Sequence, residues 1–197
     1  MSKAGLKKEL KQLDKDELIE VILDIYSLRK DAKEYFEYYI NPDVDKLFRK
    51  YEDKIFKELK RVKKRFWRKE TAARPSVIKR AIKEFESFGS GKEWTVKLMF
   101  STVENALHIS SDTQPTVKHA DAISNILQEC MLSANECGCF KEYAERILIL
   151  TKLDDSGVGD IALRKRFLRA LHAIDMRTEY FHQLPPDEYY KKTLTGL

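Results

Sequence analysis

The sequence predicts an all-α protein, an irregular bundle or a helical-repeat-like stack of seven to eight helices with no sheet. Three observations support this fold class. Apolar residues recur with a period of about 3.6 residues instead of alternating. Seven glycines and five prolines are spread over 197 residues, and they fall between the periodic segments. Hydrophobic residues make up 43% and charged residues 35% of the chain, a balance typical of a globular protein with a packed core.

The first two helices are predicted from their termini. A short helix should cover residues 3–12. Asp14 is followed three residues later by Glu17, which is the capping-box pattern at a helix start. A second helix should therefore run from there to about Tyr39. The segment Asn41-Pro42-Asp43 ends it, because proline lacks the N–H that a helix needs and disfavours helical geometry at the residue before it.

The third predicted helix, residues 44–69, combines an apolar stripe with a basic edge. The stripe lies within about 120° of the helix surface and comprises Val44, Phe48, Tyr51, Ile55, Leu59, Val62 and Phe66. A row of basic residues lies close to one line on the opposite side, spanning about 33 Å at a rise of about 1.5 Å per residue. This row consists of Lys46, Lys50, Lys57, Arg61, Lys64 and Arg68.

The remaining helices follow from proline, glycine and periodicity. Arg74-Pro75-Ser76 is typical of a helix start, and Gly89-Ser90-Gly91 of a helix end. Further helices are expected at residues 92–109, 116–135, 139–153 and 160–182. The predicted organisation is one helical domain over residues 1–182, with N-terminal helices in 1–70, a helical-hairpin bundle in 74–182, and a tail over residues 183–197.

The segment of residues 46–80 is the strongest functional signal in the sequence. It holds fifteen Lys or Arg residues and four acids, a net charge of +11, whereas the whole chain carries +5. Such a segment predicts an anionic partner, either a nucleic acid or an acidic protein. The candidate surface is the basic row together with Trp67, and Trp67 and Phe56 could stack on unpaired bases. The alternative is a solvated face near acids of the second helix, namely Asp16, Glu20, Asp24 and Asp31.

Two arginine–histidine segments in the last helix offer an alternative function. Arg166 precedes His172 and Arg177 precedes His182, a spacing that resembles the motif of a helical family of ribonucleases. That resemblance implies an arginine that binds phosphate and a histidine that assists attack by a ribose hydroxyl. The alternative reading is that these histidines are ordinary helix residues.

Two short segments of cysteine and glycine are candidates for cofactor sites. Cys137-Gly138-Cys139 with Cys130 supplies three ligands, whereas structural zinc takes four. Gly157-Val158-Gly159-Asp160 has no preceding strand and no third glycine of a dinucleotide fingerprint, so it predicts a helix-start turn capped by Asp160. No metal, cofactor or catalytic residue is therefore predicted.

The sequence also predicts the protein's compartment. It contains no apolar run of about 18 residues that could span a bilayer and no signal-peptide pattern at its start. Reduced cysteines are then expected, and with them a cytoplasmic protein without membrane contact.

Two blocks of the chain resemble a known family. The first block consists of Leu6-Lys7-Lys8-Glu9-Leu10, the segment from Leu13 to Glu20 and the segment from Glu34 to Asp43. The second consists of Arg74-Pro75-Ser76 and the segment from Lys79 to Phe85. Both blocks are similar to a family of small bacterial proteins filed as a domain of unknown function. Gly157-Val158-Gly159-Asp160 lies where the last helix of that family begins. The resemblance implies a cytoplasmic, all-helical bacterial protein and no particular chemistry.

Together these observations predict a macromolecule-binding helical protein that is not an enzyme. The alternatives are a phosphate-handling ribonuclease that uses an Arg/His pair, and a purely structural helical protein.

Overall fold

The structure, a computed structural model, describes residues 1–65 and 68–178, and the side chains of these except Arg65, Arg68 and residues 175–178. This part of the chain contains nine helices and one two-stranded hairpin. The helices are α1 Lys3–Leu10, α2 Lys15–Leu28, α3 Lys30–Ile40, α4 Val44–Leu59, α5 Pro75–Ser87, α6 Lys92–Ile109, α7 Val117–Glu136, α8 Phe140–Leu150 and α9 Ile161–Thr178. Strands β1 Val62–Arg65 and β2 Arg68–Thr71 follow α4. A predominantly all-α fold is thus confirmed, and the hairpin corrects the prediction of no sheet.

The chain divides into two compact units, Met1–Val44 and the part from Asp45 onward. The predicted limits of a helical domain over residues 1–182 and a tail over 183–197 stay a prediction, because the residues beyond 178 lie outside the described part.

The first unit contains α1, α2 and α3. The capping box at Asp14 is confirmed: its carboxylate accepts from the Glu17 N–H at 2.8 Å, and the Glu17 carboxylate accepts from the Asp14 N–H at 2.9 Å. The prediction of one helix reaching Tyr39 is wrong, because Arg29 takes an extended conformation (φ −125°, ψ 112°) that separates α2 from α3. The two helices pack together, and the Tyr26 hydroxyl donates to the Glu37 carboxylate at 3.3 Å.

The second unit is built around α7, which packs against α5, α6, α8 and α9. Eight residues of α7 are buried. Of the predicted apolar stripe, the core receives Phe48, Tyr51, Ile55 and Leu59 from α4, and Leu47 joins them. Val44 is half-buried, and Val62, beyond the helix, is exposed. The Phe85 ring of α5 meets Phe48 and Tyr51 edge-on, with ring centroids 6.4 and 5.8 Å apart.

The third predicted helix is ten residues shorter than expected. It ends at Leu59 instead of Lys69, and the chain then forms the hairpin. A buried carboxylate explains the early end: Glu58 binds Arg74, sixteen residues later, and this contact requires the intervening chain to reverse direction. The helix starts at Pro75 and Lys92 are close to those predicted, and so are the bounds of α7 and α8.

The turn before α9 is closely packed. Gly159 has a positive φ of 79°, and a Cβ there would collide with the Leu107 carbonyl and the Ser110 hydroxyl. Asp160 donates its N–H to the Ser110 hydroxyl at 2.8 Å and accepts from the Leu163 N–H at 2.9 Å. The predicted capped helix start is therefore confirmed.

Candidate functional site

The candidate site is the basic hairpin, residues 60–71, which carries seven Lys or Arg residues and one acid. Its strands are antiparallel and pair Val62 with Thr71, Lys63 with Glu70, Lys64 with Lys69, and Arg65 with Arg68. This register places Phe66 and Trp67 between the strands in sequence, and both lie outside the described residues.

The base of the basic hairpin is closed by a backbone hydrogen bond, and β2 is attached to the loop between α6 and α7. The Ala72 N–H donates to the Arg61 carbonyl at 2.7 Å and closes the base. In the loop between α6 and α7, Gln114 accepts from the Thr71 N–H at 3.1 Å and donates to the Lys69 carbonyl at 2.8 Å. The strands are thus held at a defined position, as a binding element requires.

Glu58 joins α4, the basic hairpin and α5 at one buried point. Its carboxylate accepts from the Arg74 backbone N–H at 2.8 Å, from the Arg74 guanidinium at 2.9 and 3.0 Å, and from Arg61 at 3.1 Å. The hydrogen bonds from Arg74, with the charge of Arg61, lower the pKa of Glu58 from its ordinary 4.5 to about 2. Two cations of the basic segment are therefore paired with one buried carboxylate, which cancels one of their two positive charges.

Other cations of this segment also have acidic partners. Lys63 lies 3.4 Å from Glu70 across the hairpin. Lys54 lies 2.5 Å from Glu84, and Lys79 lies 3.8 Å from Glu129. Internal pairing, the alternative to an open basic face, thus accounts for part of the charge.

Lys64 and Lys69 are different, because they face each other as a cross-strand pair. Both are exposed, and in the described part of the chain neither has a carboxylate within salt-bridge distance. Like charges directly opposite each other destabilise a hairpin. The next pair toward the turn, Arg65 with Arg68, repeats the same charge. An anion bound between the ammonium groups of Lys64 and Lys69 would remove the repulsion of that pair.

The predicted straight row of six basic residues is wrong as a helical line. Lys46, Lys50 and Lys57 lie on α4, whereas Arg61 follows the helix and Lys64 lies on β1. The sixth, Arg68, begins β2. The row therefore divides into a helical half and a hairpin half.

The aromatic candidates have different outcomes. Phe56 is half-buried, and the Lys60 ammonium lies 4.3 Å from the centroid of its ring. One face of that ring is thus already in contact with a cation. Trp67 lies outside the described residues, so its stacking on bases stays a prediction.

Two surface depressions contain residues of the basic segment. One, of about 820 Å³, lies beside β2 and is lined by Lys69, Ser110, Ser111, Asp112, Thr113, Gln114 and Asp160. Another, of about 550 Å³, lies on α5 and is lined by Ser76, Lys79, Arg80, Lys83, Glu84 and Ser87. Both are open and lined by polar or charged residues, which suits contact with an extended polar partner better than enclosure of a small apolar molecule.

In the described arginine–histidine segment, Arg166 and His172 lie on different sides of α9, and Arg166 lines a depression of about 220 Å³ that His172 does not line. Arg166 is bound by the carboxylate of Asp121 on α7. His172 is exposed and lies six residues further along α9, which places the two side chains roughly 120° apart around the helix. The side chain of Arg177 and all of His182 lie outside the described residues, so the ribonuclease alternative stays a prediction.

The cysteines lie at the α7–α8 boundary and in the core. The Cys130 thiol is buried and donates to the Val96 carbonyl at 3.5 Å, and burial raises its pKa. Cys139 is half-buried and donates to the Ala134 carbonyl at 3.6 Å. Among the described residues, no three His, Cys, Asp or Glu side chains are placed to hold a metal ion.

His119 is buried too, and burial lowers its pKa.

Comparisons with known proteins identify the family but not the chemistry. Searches of curated proteins and of solved structures find no significant match. None of the described helices is both long enough and apolar enough to cross a bilayer. Residues 1–170 match the model of a family described as "Family of unknown function (DUF6155)". This match confirms the resemblance seen in the sequence, and the chain belongs to the DUF6155 family.

Proposed function

We propose that this protein binds the phosphate backbone of a nucleic acid through the basic hairpin, without catalysing a reaction. The observation that carries the proposal is the exposed cross-strand pair of Lys64 and Lys69, which has no acidic partner in the described part of the chain. Two ammonium groups held opposite each other on a fixed ribbon create a place for an anion.

The shape of the site favours a nucleic acid over an acidic protein. A two-stranded antiparallel ribbon fits the major groove of a duplex. The sequence also has Phe66 and Trp67 between the two strands, and aromatic side chains next to cations suit stacking on unpaired bases. A basic ribbon whose sequence includes two neighbouring aromatic residues therefore matches both groups that a nucleic acid presents, its phosphates and its bases.

The test is fluorescence anisotropy of labelled single-stranded RNA and of duplex DNA, titrated with the protein at about 50 and 200 mM salt. The informative variant is Lys64→Glu with Lys69→Glu. It reverses the charge of the cross-strand pair Lys64 and Lys69, and it leaves the contacts of Arg61 and Arg74 with Glu58 intact. We expect a loss of affinity of about 10- to 100-fold at the lower salt and a salt dependence flatter by about two phosphate contacts.

The matched control is Lys3→Glu with Lys118→Glu. It changes the net charge equally, and both positions are exposed in the first turn of a helix, where an acid is well tolerated. The control should bind like the unmodified protein. Absence of binding by the unmodified protein at the lower salt, or equal losses in the two double variants, would refute the proposal.

A third variant, Trp67→Ala, separates the two nucleic acids. If Trp67 stacks on unpaired bases, its removal should weaken binding of single-stranded RNA about 10-fold and leave duplex binding nearly unchanged. An equal loss on both would show that Trp67 supports the hairpin instead of contacting bases.

A further inference from the structure

Helix α2 is too apolar around its circumference for one neighbour to cover it. Eight of its fourteen residues are apolar or aromatic, and they occupy roughly 220° of the helix surface. A core-facing helix needs an apolar stripe of only about 100°. The acids share the remaining arc, and they are Asp16, Glu17, Glu20 and Asp24.

Within the unit Met1–Val44, the other two helices leave most of this surface uncovered. No residue of Met1–Val44 is buried. Of the fifteen large apolar side chains that are exposed in the described chain, eleven lie in these 44 residues. On α2 the exposed fractions reach 50% at Leu23 and 80% at Leu28. The packing of α3 against α2 thus covers only part of the apolar surface.

Helix α3 adds an aromatic surface of its own. The rings of Tyr35 and Tyr39 are stacked, with centroids 6.5 Å apart. Tyr39 is 72% and Ile40 is 70% exposed. Tyrosine is enriched in protein–protein interfaces, because it combines a large apolar ring with a polar hydroxyl.

We propose that the α2–α3 pair is a dimerisation surface that packs against the α2–α3 pair of a second copy of this chain. The amount of surface fits this partner. The exposed apolar residues of α2 and α3 offer on the order of 900 Å² if a large side chain presents about 200 Å². A stable interface of standard size buries about 800 Å² on each partner.

Charge also favours a second copy. In a twofold dimer each surface meets itself, so a charged surface would place like charges opposite each other. The apolar arc of α2 contains no charged residue after Lys15, since its four acids lie on the other side. Two identical arcs can therefore meet without repulsion, and each helix then gains neighbours on two sides, as in a four-helix bundle.

The test is the molar mass of the full-length protein in solution, by sedimentation equilibrium over a range of concentrations. We expect twice the chain mass of 23.1 kDa and a dissociation constant that does not weaken between about 50 and 500 mM salt, because the contact is apolar. Nucleic-acid binding through the basic hairpin should weaken over the same range. The two proposals can therefore fail separately.

The informative variant is Leu28→Glu, and Ile149→Glu is its matched control. Ile149 is 62% exposed on α8, outside the proposed surface. Leu28→Glu should raise the dissociation constant at least 100-fold, and Leu28→Ala, which keeps the helix-forming character, about 10-fold. Ile149→Glu should remain dimeric. A monomeric unmodified protein at high concentration, or a dimer unaffected by both Leu28 variants, would overturn the proposal.

Discussion

Helices α2 and α7 have similar compositions and opposite environments. Eight of the fourteen residues of α2 are apolar or aromatic and none is buried. In the twenty-residue α7 about half of the residues are apolar, and eight residues are buried. The difference lies in their neighbours: α7 packs against four helices, whereas α2 packs against α3. Burial thus depends on how many elements surround a helix, and an apolar helix with few neighbours leaves a surface of the kind that a partner can cover.

The largest expected effect compares two glycines, one in each unit. Gly159→Ala should destabilise the protein by about 4 kcal/mol, because a Cβ would collide with the Leu107 carbonyl and φ is positive. Gly5→Ala in α1 meets only side chains of Met1 and Ser2 at 3.4 and 3.5 Å. It should stabilise the helix by about 0.5 kcal/mol. Urea denaturation followed by circular dichroism measures both, and similar effects at the two positions would refute the contrast.

The next comparison removes the same atoms from each of the two contrasted helices. Leu127 of α7 is fully buried, whereas Leu23 of α2 is 50% exposed. Leu127→Ala should lower the free energy of unfolding by about 3 kcal/mol, because it leaves a cavity in the core. Leu23→Ala should cost less than about 1 kcal/mol at protein concentrations where the chain is monomeric. A large cost of Leu23→Ala in the monomer would mean that α2 is already covered.

A smaller effect comes from Glu58 and depends on pH. Its folded-state pKa of about 2 is below the ordinary 4.5, so the folded protein favours the carboxylate. The resulting stability is present above about pH 4.5 and is lost as the pH falls toward 2. It amounts to about 2 kcal/mol after allowance for the exposed arginines. Denaturation between pH 2 and 7 measures it.

Glu58→Gln should lower stability at pH 7 by about the same amount and remove this part of the pH dependence. Glu9→Gln, at an exposed acid of α1, is the control and should stay within about 0.5 kcal/mol of the unmodified protein. An unchanged acid transition in Glu58→Gln would show that this carboxylate does not hold the three elements together.

The smallest effect compares two lysines with similar partners. Lys54 lies 2.5 Å from Glu84 and its ammonium is 5.1 Å from the Tyr51 ring, which is buried. Lys33 lies 3.9 Å from Glu37 and 5.4 Å from the Tyr26 ring. Lys54→Ala should cost about 1 kcal/mol and Lys33→Ala about 0.3 kcal/mol or less. Thermal denaturation of both variants measures this difference. Equal losses of stability in the two variants would refute the comparison.

The sequence predicted those features that depend on neighbouring residues. The capping box at Asp14, the stop before Pro42 and the start at Pro75 are all local, and all three are confirmed. The break at Arg29 has no glycine or proline to signal it. It depends on the packing of α3 against α2, which only the folded chain shows.

The candidate site was predicted in composition but not in geometry. Val62 continues the helical stripe of α4, and it also fits the alternation of a strand, so the local pattern allowed both structures. The contact between Glu58 and Arg74 favours the hairpin over a longer helix. Sixteen residues separate the two in the sequence, so a local pattern does not reveal this contact. The open face of α2 could have been recognised, because its apolar residues already exceed a single stripe on a helical wheel.

The three cysteines differ in exposure, so their reactivity reports when the helical core opens. Cys130 is buried against the Val96 carbonyl, whereas Cys137 and Cys139 are partly exposed near the α7–α8 turn. A thiol reagent should therefore modify two positions in the native state and the third only when α6 and α7 separate. Counting the attached labels over time by mass spectrometry then measures how often the core opens, without any substitution in the chain.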